Sequence, residues 1–136
     1  MGYIDIHDQP GAHRDFFDLP AVAVINFGDE YPIWHAPFKA KVRYVAVVVG
    51  EGGLTGNAVN YTQILTYDKG TDGTGATVLE TKSCNAAAQE FDSFLIYEPA
   101  AYDDVASGTV LSVQYVAQGA GEAMPIIHGY VEYEGA

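Results

Sequence analysis

The chain has 136 residues, of which 49% are hydrophobic, so it is long enough for one domain with a real core and too apolar for extended disorder. Eighteen acidic residues against six basic ones give a net charge of −12, which disfavours nucleic acid and anionic membranes as partners. The one cysteine, Cys84, cannot form an internal disulfide, and no apolar run approaches the ~20 residues of a membrane-spanning helix.

Residues 1–19 show no regular hydrophobic period and are predicted to form an extended N-terminal arm outside the folded domain. The arm carries an apolar cluster, Phe16, Phe17 and Leu19, beside four aspartates. Because such side chains are costly to expose, we expect the arm to place them on another subunit. The folded domain is predicted to span residues 20–136.

Within 20–136, short β-branched and aromatic runs alternate with glycine-rich turns. In 110–116, Leu111, Val113 and Tyr115 share one face, as expected for a strand with one buried side. Residues 85–94 can form a short helix or lead into a strand. The pattern predicts an all-β, antiparallel β-sandwich of jelly-roll type. The predicted strands are 20–27, 40–50, 60–67, 76–82, 93–98, 108–119 and 124–134.

The segment between the first two predicted strands, DEYPIWHAPF, concentrates aromatic residues. Tyr31 and Trp34 are expected to be anchors in the core or in a subunit interface, and the alternative is a platform on which sugars stack. Lys39, Lys41 and Arg43 follow at a spacing of two, so in a strand they share one face. That basic stripe either protects a sheet edge or meets an acidic partner.

The loop DKGTDGTG, residues 68–75, is the stretch most suggestive of a ligand. No lysine follows its last glycine and a strand comes next, so it is not a phosphate-binding loop that opens a helix. Asp68 and Asp72 resemble the start of an EF-hand loop, but Leu79 stands where the twelfth ligand belongs. Residues that tolerate positive φ between two strands predict a hairpin loop instead.

Catalytic and metal-binding patterns are weak. The four histidines are scattered along the chain, and zinc requires three or four converging ligands. Cys84 has no neighbouring base, and Tyr102-Asp103-Asp104 fits a solvated approach to a strand. We therefore expect no catalytic residue, no cofactor and no metal, and a protein that is not an enzyme. The histidines are His7, His13, His35 and His128.

Residues 57–86, NAVNYTQILTYDKGTDGTGATVLETKSCNA, and residues 105–121, VASGTVLSVQYVAQGAG, carry a resemblance to a family. An Asn-x-x-Asn-Tyr lead-in, a Lys-Gly-x-Asp-Gly-x-Gly turn and a Val-x-x-Gly-x-x-Leu strand resemble small proteins encoded near the capsid genes of tailed phages. The resemblance covers residues 41–121 and leaves out everything before residue 20. It implies a capsid decoration (cement) protein, or another virion surface protein, with a β-sandwich fold.

The resulting expectation is a virion structural protein that binds the assembled capsid surface and stabilises it. Its partners would be the major capsid protein and itself, as a homotrimer, with neither nucleic acid nor membrane involved. It would be made in the host cytoplasm and reside on the capsid surface. The alternative is a carbohydrate- or receptor-binding β-sandwich module of a phage particle. The candidate partner-binding residues are Phe16, Phe17, Leu19, Tyr31, Trp34, Lys39, Lys41 and Arg43.

Overall fold

The computed structural model describes residues 11–50, 53–85 and 93–136. These ranges contain nine β-strands and one short 3-10 turn, Val24–Asn26. The strands are β1 His13–Leu19, β2 Glu30–His35, β3 Ala40–Val49, β4 Tyr61–Asp68, β5 Thr77–Ser83, β6 Ser93–Tyr97, β7 Asp103–Val105, β8 Val110–Gln118 and β9 Ile127–Gly135.

The strands form two antiparallel sheets that pack face to face. The first sheet has the order β1-β9-β3-β6, and β7 continues the edge beside β6 by pairing with the start of β3. The second sheet has the order β2-β8-β4-β5. The prediction of an all-β, antiparallel β-sandwich is therefore confirmed.

Strand pairing is nested along the chain. β1 pairs with β9, β2 with β8, β3 with β6, and β4 with β5. The first strand consequently lies against the last, with His13 opposite Tyr133 and Leu19 opposite Ile127. Residues at the two ends of the sequence become neighbours, so the surface of the first sheet is assembled from distant parts of the chain.

The core lies between the two sheets and is filled by alternate residues of the central strands. Leu111, Val113 and Tyr115 of β8 are at most 1% exposed, as their alternation predicted. Val131 and Tyr133 of β9 face them from the first sheet and are equally buried. Each such apolar side chain contributes about 1.5–3 kcal/mol relative to exposure, which makes these central strands the main source of stability.

The predicted arm needs correction over residues His13–Leu19, because they form β1 and pair with β9 along their whole length. Phe17 packs against the core and Leu19 is 3% exposed, whereas Phe16 points outward. Inward and outward positions alternate here too, but the inward His13 and Asp15 are polar, so the pattern does not stand out as hydrophobic. Residues 1–10 of the predicted arm lie outside the described residues.

The predicted strand at residues 20–27 is wrong. This segment connects β1 in one sheet to β2 in the other, touching the sheet by a single bridge from Val22 to Met124. It then forms the 3-10 turn, in which Ile25 is 90% exposed. An apolar run without alternation was mistaken for a strand, while β2, which contains Pro32 at the sheet edge, was missed.

The short helix considered for residues 85–94 falls mostly on residues 86–92, which lie outside the described residues. From Ser93 onward the chain is strand β6. The remaining predicted strands match β3, β4, β5, β6, β8 and β9 to within a few residues at their ends.

Candidate protein-interaction surface

The eight candidate partner-binding residues separate into an inner and an outer group. Phe17, Leu19, Tyr31 and Trp34 are buried or half-buried against the chain's own core. Phe16, Lys39 and Lys41 are exposed, and Arg43 is half-buried on the same side of the first sheet as Phe16. We name the solvent-facing side of the first sheet the outer face. The outer group consists of Phe16, Lys39, Lys41 and Arg43.

Trp34 is an anchor of the protein's own core. It is 5% exposed, and its Nε1 donates a hydrogen bond of 2.8 Å to Oδ2 of Asp15. The hydroxyl of Tyr133 donates to the same oxygen at 2.9 Å, and the Trp34 and Tyr133 rings lie 5.0 Å apart. Asp15 thereby joins β2 of the second sheet to β1 and β9 of the first. Such burial leaves Trp34 unsuited to act as a sugar-stacking platform.

Tyr31 also turns inward, and its ring lies 6.0 Å from that of Tyr115. Burial raises the pKa of Tyr115, whose hydroxyl has no hydrogen-bond partner among the described residues. Both tyrosine rings therefore pack toward the interior of the sandwich and offer little surface area to a partner.

An apolar row crosses the outer face from β1 to β6. Phe16 lies opposite Tyr130, Tyr130 opposite Ala46, and Ala46 opposite Leu95. Phe16 is 77% exposed, and its ring lies 5.6 Å from the Tyr130 ring. Val48, two residues along β3 from Ala46, is 49% exposed and extends the patch. Ala46 is 8% exposed, so Phe16 and Val48 supply most of the exposed apolar area, and large exposed apolar side chains on one sheet face favour an interaction surface.

Two arginines flank the apolar row and share one carboxylate. Nε of Arg14 lies 2.9 Å from Oε1 of Glu132, and Nη1 of Arg43 lies 3.4 Å from Oε2. The Arg14 guanidinium stacks over the Tyr130 ring at 4.4 Å, and that of Arg43 stacks over the Tyr102 ring at 5.1 Å. We name Arg14 and Arg43 the arginine pair. Stacking and the shared carboxylate fix the orientation of both guanidiniums.

A bulge in β3 places the second arginine of the pair. Val42 lies opposite Tyr133 and Tyr44 opposite Glu132, so Arg43 is the extra residue in the strand. As a result Arg43 and Tyr44 both reach the outer face, where Nη2 of Arg14 approaches the Tyr44 hydroxyl at 3.5 Å. Simple alternation from Lys39 and Lys41 predicted the side of Arg43 but not the exposure of Tyr44.

The local electrostatics keep these groups in fixed charge states. The hydrogen bond to Glu132 raises the pKa of Arg14, and the hydrogen bond with Tyr102 raises the pKa of Arg43. The pKa of Tyr44 is raised to about 12, chiefly by hydrogen bonding with Tyr130, then by burial and by Glu132. The arginines therefore stay charged, and Tyr44 neutral, at every pH at which the protein would be handled.

Basic charge is concentrated at this end of the outer face. Arg14, Lys39, Lys41 and Arg43 are four of the six basic residues in the chain. Lys41 stands between Glu134 of β9 and Asp104 of β7 in the strand register. The face is thus a region of mixed charge in a chain whose net charge is −12.

The glycine-rich loop at 68–75 joins β4 to β5, so the predicted hairpin is confirmed. Gly70 and Gly73 adopt φ values of 70° and 76°, which favour glycine. Oδ1 of Asp68 accepts from the Gly70 N–H at 2.8 Å, and Oδ1 of Asp72 accepts from the N–H and hydroxyl of Thr74. The two carboxylates that resembled calcium ligands thus brace the turn itself, and the bonds from Thr74 lower the pKa of Asp72.

The remaining polar residues do not converge on a site. Among the described residues, no three His, Cys, Asp or Glu side chains come close enough to hold a metal ion. His13 is half-buried beside Tyr133, His128 contacts Asp18, and His7 lies outside the described residues. Asp103 accepts a hydrogen bond of 2.9 Å from the Tyr97 hydroxyl at the β6–β7 edge. His35 is exposed at the end of β2.

Cys84 is fully buried, and burial raises the pKa of its thiol to about 11. A buried thiol that stays protonated at neutral pH is a weak nucleophile. Nowhere in the described ranges is there a helix with the length and apolar character required to cross a membrane.

Comparisons with protein-family models, with curated proteins and with solved structures give no match for this chain. The outer face also contains residues that were not singled out from the sequence: Arg14, Tyr44, Tyr130 and Glu132. The alternation of β9 puts Tyr130 and Glu132 on one side of that strand, which is a signal in the sequence, whereas Arg14 lies within the segment interpreted as an arm.

Proposed function

We propose that this chain is a virion structural protein that binds the surface of an assembled capsid and stabilises it, as decoration (cement) proteins do. The observation that carries the proposal is the outer face, where the exposed side chains of Phe16 and Val48 lie on the same sheet face as an oriented arginine pair. The sequence resemblance in residues 57–86 and 105–121 points the same way. A preformed surface favours capsid binding, because rigid side chains lose little entropy on association.

The nested pairing supports a jelly-roll topology, in which a long antiparallel hairpin is wrapped over two sheets. Each strand of the first half pairs with its counterpart in the second half, and the four pairs fall alternately in the first and second sheets. Viral capsid and lectin domains are among the proteins that use this arrangement. The topology is therefore compatible with a virion protein, although the fold alone does not define function.

Binding would proceed by burial of the outer face across neighbouring capsid subunits. Phe16 supplies the largest exposed apolar side chain of that face, and Arg14 and Arg43 supply oriented charge. A trimeric assembly would present three such faces, and simultaneous engagement would multiply weak contacts through avidity. Strengthening follows because each bound copy must be released before the subunits beneath it can separate.

The alternative, a carbohydrate- or receptor-binding module, has lost its main residue. Trp34 was to provide the stacking platform, but its ring is buried and its N–H is bonded to Asp15. Tyr31 is half-buried as well. A sugar site would have to use other tyrosines.

The test is association with particles. Tailed-phage particles from the source of the gene are purified on a density gradient and probed with an antibody against this chain, and stripped particles are then mixed with purified variants. The wild type should co-sediment, and Phe16→Ser should weaken binding by about tenfold because a central apolar contact is lost. The matched control is Val78→Ser, which removes a 48% exposed apolar side chain from the second sheet. Absence of the chain from particles, with no rebinding of the wild type, would refute the proposal.

A further inference from the structure

We propose that the outer face recognises an acidic protein segment of the partner, with carboxylates on the arginine pair and an adjacent apolar side chain on the Phe16–Tyr130 row. This inference rests on the proposed function, because it names the chemistry of the surface to which the protein would bind. The occupant is a stretch of another polypeptide with few carboxylates and at least one apolar residue beside them.

Orientation of the guanidiniums is the first argument. Glu132, with a side chain only 9% exposed, holds Nε of Arg14 and Nη1 of Arg43 from beneath. The side chains of Arg14 and Arg43 remain 49% and 32% exposed, so each keeps a part that faces solvent, while Nε of Arg43 is buried without a hydrogen-bond partner among the described residues. A planar guanidinium carries five N–H donors and matches a carboxylate with two parallel bonds. Glu132 uses only part of that capacity.

The surrounding rings are the second argument. Tyr130 lies between the Arg14 guanidinium at 4.4 Å and the Phe16 ring at 5.6 Å, so the charged and apolar parts of the face share one residue. A ligand that places a carboxylate on Arg14 therefore places its neighbouring side chain over Phe16. Aromatic and arginine side chains packed in this way are the residue types that dominate binding energy at protein interfaces.

Charge complementarity is the third argument and selects an acidic partner. At the arginine pair, two guanidiniums share the single carboxylate of Glu132, so the basic groups outnumber the acidic group that they contact there. A basic segment would meet these guanidiniums as like charges. A large acidic body would be repelled by the rest of the chain, which is why a short acidic segment fits best.

The experiment uses the full-length protein, labelled with nitrogen-15, and three ten-residue peptides of alternating composition: Asp-Leu, Asp-Ser and Lys-Leu. The Asp-Leu peptide should shift the amide resonances of Arg14, Phe16 and Tyr130, and the Asp-Ser peptide should bind several-fold more weakly. The Lys-Leu peptide should leave these resonances unchanged. Raising the salt from low to high concentration should weaken the Asp-Leu interaction, because exposed charge pairs are screened.

Variants divide the site into its two parts. Arg14→Gln and Phe16→Ser should each weaken binding of the Asp-Leu peptide by about fivefold or more, as expected for central contacts of a small interface. Arg14→Lys, which keeps the charge but not the planar fork, should fall between Arg14→Gln and wild type. Lys69→Gln is the matched control, since Lys69 lies away from the outer face. Its Nζ pairs with Oε2 of Glu30 at a distance of 2.8 Å. This variant should bind as the wild type does.

Three results would overturn the inference. One is the absence of shifts on the outer face with the Asp-Leu peptide, and another is equal binding of the Lys-Leu peptide. The third is self-association that depends on Arg14 and Phe16 in a protein that does not bind the peptide. A second copy of the chain would then be the occupant of the outer face. Peptide binding is measured without particles, so loss of particle association together with retained peptide binding would refute the proposed function alone.

Discussion

At the scale of single residues, Asp15 is a polar side chain that joins the two sheets. One of its oxygens accepts hydrogen bonds from Trp34 and Tyr133, which are 5% and 1% exposed. We expect Asp15→Ala to lower the free energy of unfolding by about 2–4 kcal/mol, because two buried donors lose their acceptor. Urea denaturation followed by Trp34 fluorescence measures the loss.

The matched control for this prediction is Asp18→Ala, two residues along β1. The Asp18 side chain is 77% exposed and contacts His128 at the surface, so its removal should change stability by less than about 0.5 kcal/mol. Asp15→Asn keeps one amide oxygen as an acceptor and should fall between the alanine variant and the wild type. Equal losses for both alanine variants would show that Asp15 does not join the sheets.

Cys84 gives a prediction with a defined pH window. Burial raises the pKa of its thiol from 9.0 to about 11. Since the folded pKa is the higher one, the contribution of the neutral thiol is complete below pH 9 and disappears as the pH rises toward 11. We expect the wild type to lose about 1–3 kcal/mol more than Cys84→Ala between these pH values. Parallel curves for the two proteins would contradict this.

At the scale of elements, the important result is that β1 belongs to the sandwich. The sequence led us to expect that removal of residues 1–19 would leave a folded domain, and the pairing of β1 with β9 reverses that expectation. We now predict that a chain starting at residue 20 is destabilised by at least about 3 kcal/mol relative to a chain starting at residue 11, because it loses the packing of Phe17 and Leu19.

Circular dichroism melting curves of the two truncated chains provide the measurement. The shorter truncation is the control for the longer one, since it keeps His13–Leu19 and Asp15 in place. If removal of residues 1–19 left the melting temperature unchanged, β1 would be only a loosely held edge strand. If removal of residues 1–10 alone unfolded the protein, residues before β1 would contribute to the core.

At the scale of the whole molecule, the nested topology should control the folding rate. β1 cannot pair until β9 is present, and the Tyr133–Asp15 hydrogen bond joins residues 118 positions apart. Sandwiches dominated by such distant pairings fold in milliseconds to seconds, because loop closure precedes the contacts that stabilise it. Stopped-flow refolding followed by Trp34 fluorescence should show this range. Refolding within microseconds would contradict the topology.

The sequence by itself determined those strands and turns that a short-range pattern specifies. Alternation in 108–119 and 124–134 predicted β8 and β9, including the buried face of β8, and glycines between two strands predicted the hairpin at 68–75. The sandwich class follows from several such strands. Alternation failed at β1, whose inward positions His13 and Asp15 are polar, since polar groups look like surface until their partners are known.

Only the tertiary structure decided which strands lie side by side, and the candidate site depends on that. Arg14 and Arg43 each follow a local pattern, but their common contact with Glu132 arises because β9 lies between β1 and β3. Likewise Trp34 is a core residue rather than a platform because Asp15 reaches it from the other sheet. Periodicity within a strand specifies which side is buried, and pairing between distant strands specifies which side chains meet, because register depends on the whole packed core.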